Sequence, residues 1–168
     1  VESRLAPFPL QSIAAFVLFV ILAAFYLRGQ RGGKLRDGDT CLIFLMLYGC
    51  TQVVLDSTRY DSLFFRSNGF VSVVQVLGAL GLALAVVVFA RRMVKARGFR
   101  AWNIFLWLLI ALAITGAGYM EYYVQRRGNE ALFAYSVMSA CLLAASVLTL
   151  FMRALAVRVE KRYYGTDD

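Results

Sequence analysis

FVSVVQVLGALGLALAVVVFA, residues 70–90, runs without a charged side chain and carries one amide, Gln75. An apolar run of about 18 residues or more is long enough to cross the hydrocarbon core of a bilayer as a helix. Three further runs have the same character: Phe8 to Leu27, Ala101 to Met120 and Ala131 to Met152. A fifth, Thr40 to Leu55, is shorter and leads straight into Asp56. With 61% of its 168 residues hydrophobic and 14% aromatic, a soluble domain of this size would have too little polar surface to stay in solution. The fold expected is therefore all-α: a polytopic membrane bundle of five transmembrane helices.

Orientation follows from the basic residues, because Lys and Arg next to a span are retained in the cytoplasm. Arg28, Arg31, Lys34 and Arg36 lie in one connection, Arg91, Arg92, Lys95, Arg97 and Arg100 in another, and Arg153, Arg158, Lys161 and Arg162 in the tail. That puts 13 of the 18 basic residues on one side and leaves Arg4, Arg59, Arg66, Arg126 and Arg127 on the other. The expected topology has the N-terminus outside and the C-terminus cytoplasmic. The segment Arg91 to Arg100 is the expected seam, dividing a three-helix core over 1–92 from a two-helix extension with a basic cytoplasmic tail over 93–168. Val1 to Pro7 lacks an initiator Met, a basic flank and a cleavage signature. The first span is accordingly read as a membrane helix rather than a signal peptide, and the chain as a piece or processed form of something longer.

Several function classes are disfavoured. The net charge of +8 is accounted for by topology and contact with anionic lipid, and no alternation of basic and aromatic residues suggests nucleic acid. RGQRGGKLRDGD, residues 28–39, is glycine-rich but lacks the GxxxxGK[ST] spacing of a phosphate-cradling loop. Histidine is absent, and Cys41, Cys50 and Cys141 lie in the spans without a CxxC partner. They are read as small core residues, and no metal or other cofactor is expected. Two sets of small residues, Gly78, Gly81 and Ala85 on the third span and Ser136, Ala140 and Ala144 on the fifth, are read as places where helices approach closely in lipid. In GYMEYY, residues 118–123, the tyrosines read as an interfacial belt. Glu121 could pair with Arg126 or Arg127.

The polar residues inside the spans are the candidate site. In LYGCTQVVLDSTRYD, residues 47–61, helical spacing puts Tyr48, Gln52 and Asp56 on one stripe, with Arg59 three residues further on. An ionisable group in a span faces the bundle interior more often than lipid, so Asp56 is expected to point inward, with Arg59 as its partner and Asp61 on the other side of the guanidinium. Gln11 near the start of the first span and Gln75 in the third belong to the same leaflet. Spacing leaves two readings of this set open: a cavity lined by polar groups, or a hydrogen-bond network that cross-links helices.

The same residues resemble the prolipoprotein diacylglyceryl transferase family over about the first 92 positions. Tyr48 and Gly49 match its Tyr-Gly, Asp56 stands where a glutamate is usual, and Arg59 with Asp61 matches its R-x-D. Pro9 and Gln11 look like its Pro-x-Gln, and Gln75 falls at the glutamine of its last span. Gln52 stands where the family has an arginine, Ser12, Ile13 and Ala14 where it usually shows an aromatic and an acid, and Phe8 where a polar residue is common. The family's N-terminal half, with its own signature, has no counterpart in these residues. The resemblance implies a multi-pass protein of the bacterial inner membrane that transfers a diacylglyceryl group from phosphatidylglycerol to the lipobox cysteine of an exported prolipoprotein, with the missing half supplied from elsewhere in the polypeptide or by a partner chain. Tyr48, Asp56 and Arg59 would line the head-group site as catalytic residues, and Gln11, Gln52, Asp61 and Gln75 would bind substrate. The alternative is a membrane protein that binds phospholipid or a partner helix in the same place without turnover.

Overall fold

The computed structural model describes residues 7–32, 35–57, 72–127 and 131–164. Its elements are five helices: α1 (Pro7–Arg31), α2 (Asp39–Ser57), α3 (Val73–Arg97), α4 (Ala101–Arg127) and α5 (Ala131–Tyr164). All five are long and apolar enough to cross a membrane, as the hydrophobic runs require. Proximity divides the chain into two compact units, 1–82 and 83–168, the division falling within α3.

In the first unit α1 packs along α2. Leu18, Ile43 and Met46 are buried, while Ile13, Phe16 and Phe19 on α1 are well exposed, as a helix that meets lipid should be. The α1–α2 connection ends at Gly38, whose φ of 83° is open to glycine at little cost. The carbonyl of Gly38 then accepts from the amide of Leu42 at 3.0 Å, opening α2. Asp39, in the first turn, complements the positive end of the helix dipole.

α2 and α3 run antiparallel and very close. A methyl group built on Gly78 would lie 2.7 Å from the carbonyl oxygen of Gly49, and one built on Gly49 would meet the carbonyl of Gly78. One turn away, Gly81 faces the backbone of Leu45, at 3.2 Å by the same measure. Gly78 and Gly81 thus serve the close packing that their spacing predicts. Gly49 is its partner across the crossing.

In the second unit the C-terminal part of α3 packs with α4 and α5 around Met93, Leu106, Ile110, Ala145, Met152 and Ala156. The α3–α4 turn is only three residues long. Gly98, at φ 75°, closes α3 by donating its amide to the carbonyl of Val94 at 2.8 Å, a left-handed helix cap. The side-chain amide of Asn103 reaches back to the carbonyl of Gly98 at 3.1 Å, tying α4 to that cap.

Three expectations change here. The basic segment after Ala90 is not a loop: α3 continues through Arg97, and α5 likewise continues through the basic tail to Tyr164. Lys and Arg are good helix formers, so they mark where a span leaves the bilayer and not where its helix stops. At about 1.5 Å per residue the 34 residues of α5 are longer than the hydrocarbon core is thick. Second, Ser136, Ala140 and Ala144 are exposed, so they do not pack helices within the chain. The buried stripe of α5 is Met138, Leu142, Ala145, Thr149 and Met152, which follows a near-3.5 period, whereas a four-residue period drifts around the helix. Third, Cys41 is exposed and Cys50 and Cys141 are half-buried, so Cys41 is not a core residue. At the far end of α4, Tyr119 and Tyr122 are exposed and Glu121 is buried, an arrangement that suits an interfacial belt. The side chains of Arg126 and Arg127 lie outside the described residues.

Candidate functional site

The sequence SVVQ, Ser72 to Gln75, builds the start of α3 and the polar end of the first unit together. Ser72 precedes the helix, and its hydroxyl accepts from the backbone N–H of Gln75 at 3.1 Å. The backbone N–H of Ser72 donates in return to Oε1 of Gln75 at 3.0 Å. This reciprocal pair is a capping box, which satisfies two of the amides that a helix start leaves open. In a bilayer, where water cannot substitute, such satisfaction is worth more than at a soluble surface.

The other end of the same amide crosses to α2. Nε2 of Gln75 donates to Oγ of Ser57 at 3.2 Å and makes a long bond to the carbonyl of Val53 at 3.5 Å. Because the backbone N–H of Ser72 needs an acceptor and finds it in Oε1, the network fixes which way the amide points. Its acceptor and both of its donor hydrogens are in use. Gln75 therefore closes a latch between the last turn of α2 and the first of α3, one turn beyond the Gly49–Gly78 crossing. Asp56, Ser57, Ser72 and Gln75 are all buried at this end. Ser57 and Ser72 are the members that the polarity of the spans did not single out. The S-x-x-Q spacing was the available signal.

The other candidate residues fall in different places. Tyr48 is 43% exposed and stacks on Phe44, ring centroids 5.3 Å apart. Gly49 must face α3 for the helices to cross, which turns the adjacent Tyr48 outward. Exposure then declines down the expected stripe, from Tyr48 through half-buried Gln52 to Asp56 at 7%. The helical stripe exists, but only its lower end enters the protein. Tyr48 lies two turns from Asp56. Gln11 on α1 is half-buried and is not among the partners of Gln75. Arg59 and Asp61 lie outside the described residues. What the structure ties together is therefore Ser57 on α2 with Ser72 and Gln75 on α3, with Asp56 buried beside Ser57 in the chain, and a carboxylate held at the buried end of a span is suited to holding a cation or managing a proton.

A second polar feature of the first unit is a cavity of about 390 Å³ at the α1–α2 connection, lined by Tyr26, Gln30, Arg36 and Asp37 among others. Within it Nε2 of Gln30 donates to the Tyr26 hydroxyl at 2.7 Å.

No curated protein and no solved structure matches the chain. A family model does: that of prolipoprotein diacylglyceryl transferase, over residues 4–91, which takes in α1, α2, most of α3 and every residue of the buried polar end. The match spans more than half of the sequence and contains the Tyr48-Gly49 pair, Asp56 and Gln75, so the chain, a multi-pass membrane protein by its five helices, belongs to the prolipoprotein diacylglyceryl transferase family.

Proposed function

We propose that the chain takes part in transferring the diacylglyceryl group of phosphatidylglycerol to the cysteine thiol of a lipobox in an exported prolipoprotein, at the bacterial inner membrane and with its N-terminus outside. The observation that carries this reading is the buried polar end of α2 and α3, a carboxylate beside a closed hydrogen-bond latch within the stretch that matches the family. In the reaction a sulfur–carbon bond forms as the carbon–oxygen bond to phosphate breaks. Glycerol phosphate leaves, and the thiol gives up its proton to a base.

Asp56 is assigned to the reacting end, where a carboxylate can hold that proton or orient the cation that meets the phosphate. Arg59, with its planar donor fork, is the cation suited to phosphate, and Asp61 orients it. Tyr48 and Gln11 line the approach, and Gln75 positions the wall. The remaining part of the family's machinery comes from a further segment or a partner chain. No cofactor enters this scheme.

A second reading, phospholipid binding without turnover, is favoured by one residue. Gln52 stands where the family has an arginine, and an amide cannot offset phosphate charge in a medium of low dielectric. The test is transfer of labelled diacylglyceryl to a lipobox reporter, with the further segment or partner chain supplied, in cells depleted of their own transferase. Asp56→Asn, which keeps shape and removes the charge, is expected to lower transfer about 100-fold, the usual contribution of a positioned acid or base. Gln52→Arg is expected to raise it about ten-fold or more. Lipid bound without transfer in the parent chain would select the binding reading, and transfer unaffected by Asp56→Asn would remove Asp56 from the site.

A further inference from the structure

The second unit carries a groove of about 670 Å³ that the transferase reading does not use. One wall is a single stripe of α3, in which Ala83, Val87, Ala90 and Val94 recur at helical spacing. The other wall is the α4 stripe of Trp107, Ile110 and Ile114, with Phe99 at the mouth. Its volume is that of a small-molecule site, and its lining is apolar until the end next to the α3–α4 turn. There it meets Arg91 and Lys95, both exposed.

These two cations sit four residues apart on one helix face, an arrangement that is mildly unfavourable by itself. No acidic side chain lines the groove, and neither cation has an ion pair among the described residues. The groove also has a telling length. From Ala83 to Lys95 the helix rises about 18 Å, against about 15 Å for half the hydrocarbon core. It is as deep as one leaflet, and its charge lies where the head groups of that leaflet would be.

We infer that the groove between the C-terminal part of α3 and α4 holds an acyl chain of an anionic phospholipid from the leaflet adjoining the α3–α4 turn, with Arg91 and Lys95 on its phosphate. Long cationic side chains reach the head-group level while their stems cover apolar surface, and a juxtamembrane cation attracts anionic lipid. All of the groove lining on α4, with Val94, Lys95 and Phe99, lies outside the residues that match the family. The site is thus separate from the transfer chemistry proposed above.

The chain has two tryptophans, Trp102 and Trp107. With Trp102→Phe as the background, Trp107 becomes the sole reporter of the groove. The experiment reconstitutes the full chain into bilayers and follows quenching of Trp107 by brominated-chain phosphatidylglycerol or brominated-chain phosphatidylcholine. Half-quenching is expected at a mole fraction about 25-fold lower for the anionic lipid, each cation supplying about five-fold, equivalent to about 1 kcal/mol. Arg91→Gln with Lys95→Gln is expected to reduce the preference to two-fold or less. Arg97→Gln with Arg100→Gln removes as much charge from outside the groove and is expected to leave most of the preference. Equal quenching by the two lipids overturns the inference, as does an equal loss in both double variants. Absence of quenching by either lipid, with or without a dimeric mass, also overturns it, since the groove would then be closed or covered by protein.

Discussion

Replacing Gly78 with leucine is expected to abolish the native pairing of α2 and α3. The contact at this point is backbone on backbone: a methyl on Gly78 would already lie 2.7 Å from the Gly49 carbonyl oxygen, and neither helix has a flexible side chain there that could swing aside. Overpacking a core that can relax costs about 1–3 kcal/mol. A crossing that cannot relax should lose more than about 3 kcal/mol, enough to unfold a marginal membrane domain. Gly78→Ala is the finer test, because two effects oppose each other. Alanine gains roughly 1 kcal/mol of helix propensity over glycine, yet its Cβ forces the helices apart and with them the Gln75 latch. A net loss of about 1 kcal/mol is expected.

Gly118 supplies the control. It also lies within a helix, but a Cβ there meets nothing within 4 Å. Gly118→Ala should therefore stabilise the protein by about 0.5–1 kcal/mol. Ala79→Leu, exposed and next to Gly78, should stay within about 0.5 kcal/mol of the parent. Unfolding in mixed micelles as the denaturing detergent fraction rises would rank the four variants. If Gly78→Ala and Gly118→Ala shift the midpoint in the same direction by the same amount, the close crossing does not exist.

The contrast between these glycines shows what the sequence could and could not convey. Five spans were legible because the bilayer imposes length and polarity on each segment separately, and nothing about tertiary contacts is needed to see them. Gly78 and Gly81 were legible as a close approach from spacing alone, but the partner was not. Gly49 sits beside Tyr48 in a pair that drew attention to the tyrosine, whereas the glycine fixes how α2 is turned. Once Gly49 faces α3, Tyr48 must face outward, and the stripe from Tyr48 through Gln52 to Asp56 cannot be buried along its whole length. Asp56 and Gln75 were legible as buried polar groups because exposing them to lipid is costly. The job of Gln75 was not. An apolar run that begins at Phe70 encloses Ser72, so polarity alone does not separate the cap residue from the span, whereas the S-x-x-Q spacing does.

Gln75→Met is expected to be the most damaging change that leaves the backbone packing untouched. Methionine keeps the length and volume of the side chain but removes the acceptor for the Ser72 amide and both donors to α2. Loss of a helix cap costs about 0.5–2 kcal/mol, and a buried amide left without an acceptor about 1–3 kcal/mol. Together roughly 2–4 kcal/mol should be lost, allowing for the overlap between the two. A double-mutant cycle separates the cap from the latch. Ser72→Ala tests the bond within α3 and should cost about 1 kcal/mol. Ser57→Ala tests the bond across to α2 and should cost a similar amount, since Nε2 keeps the Val53 carbonyl. Residues in one hydrogen-bond network show coupling of about 0.5–3 kcal/mol, so both serines should couple to Gln75→Met. Coupling to Ser72 without coupling to Ser57 would reduce Gln75 to a local cap, and the polar tie that holds the Asp56 end of α2 against α3 would have to be given up. Because both amide hydrogens are committed to α2, Gln75→Met should also lower diacylglyceryl transfer only as far as it lowers the folded fraction. A large loss of transfer in protein that remains folded would mean that the latch opens and Gln75 itself meets the substrate.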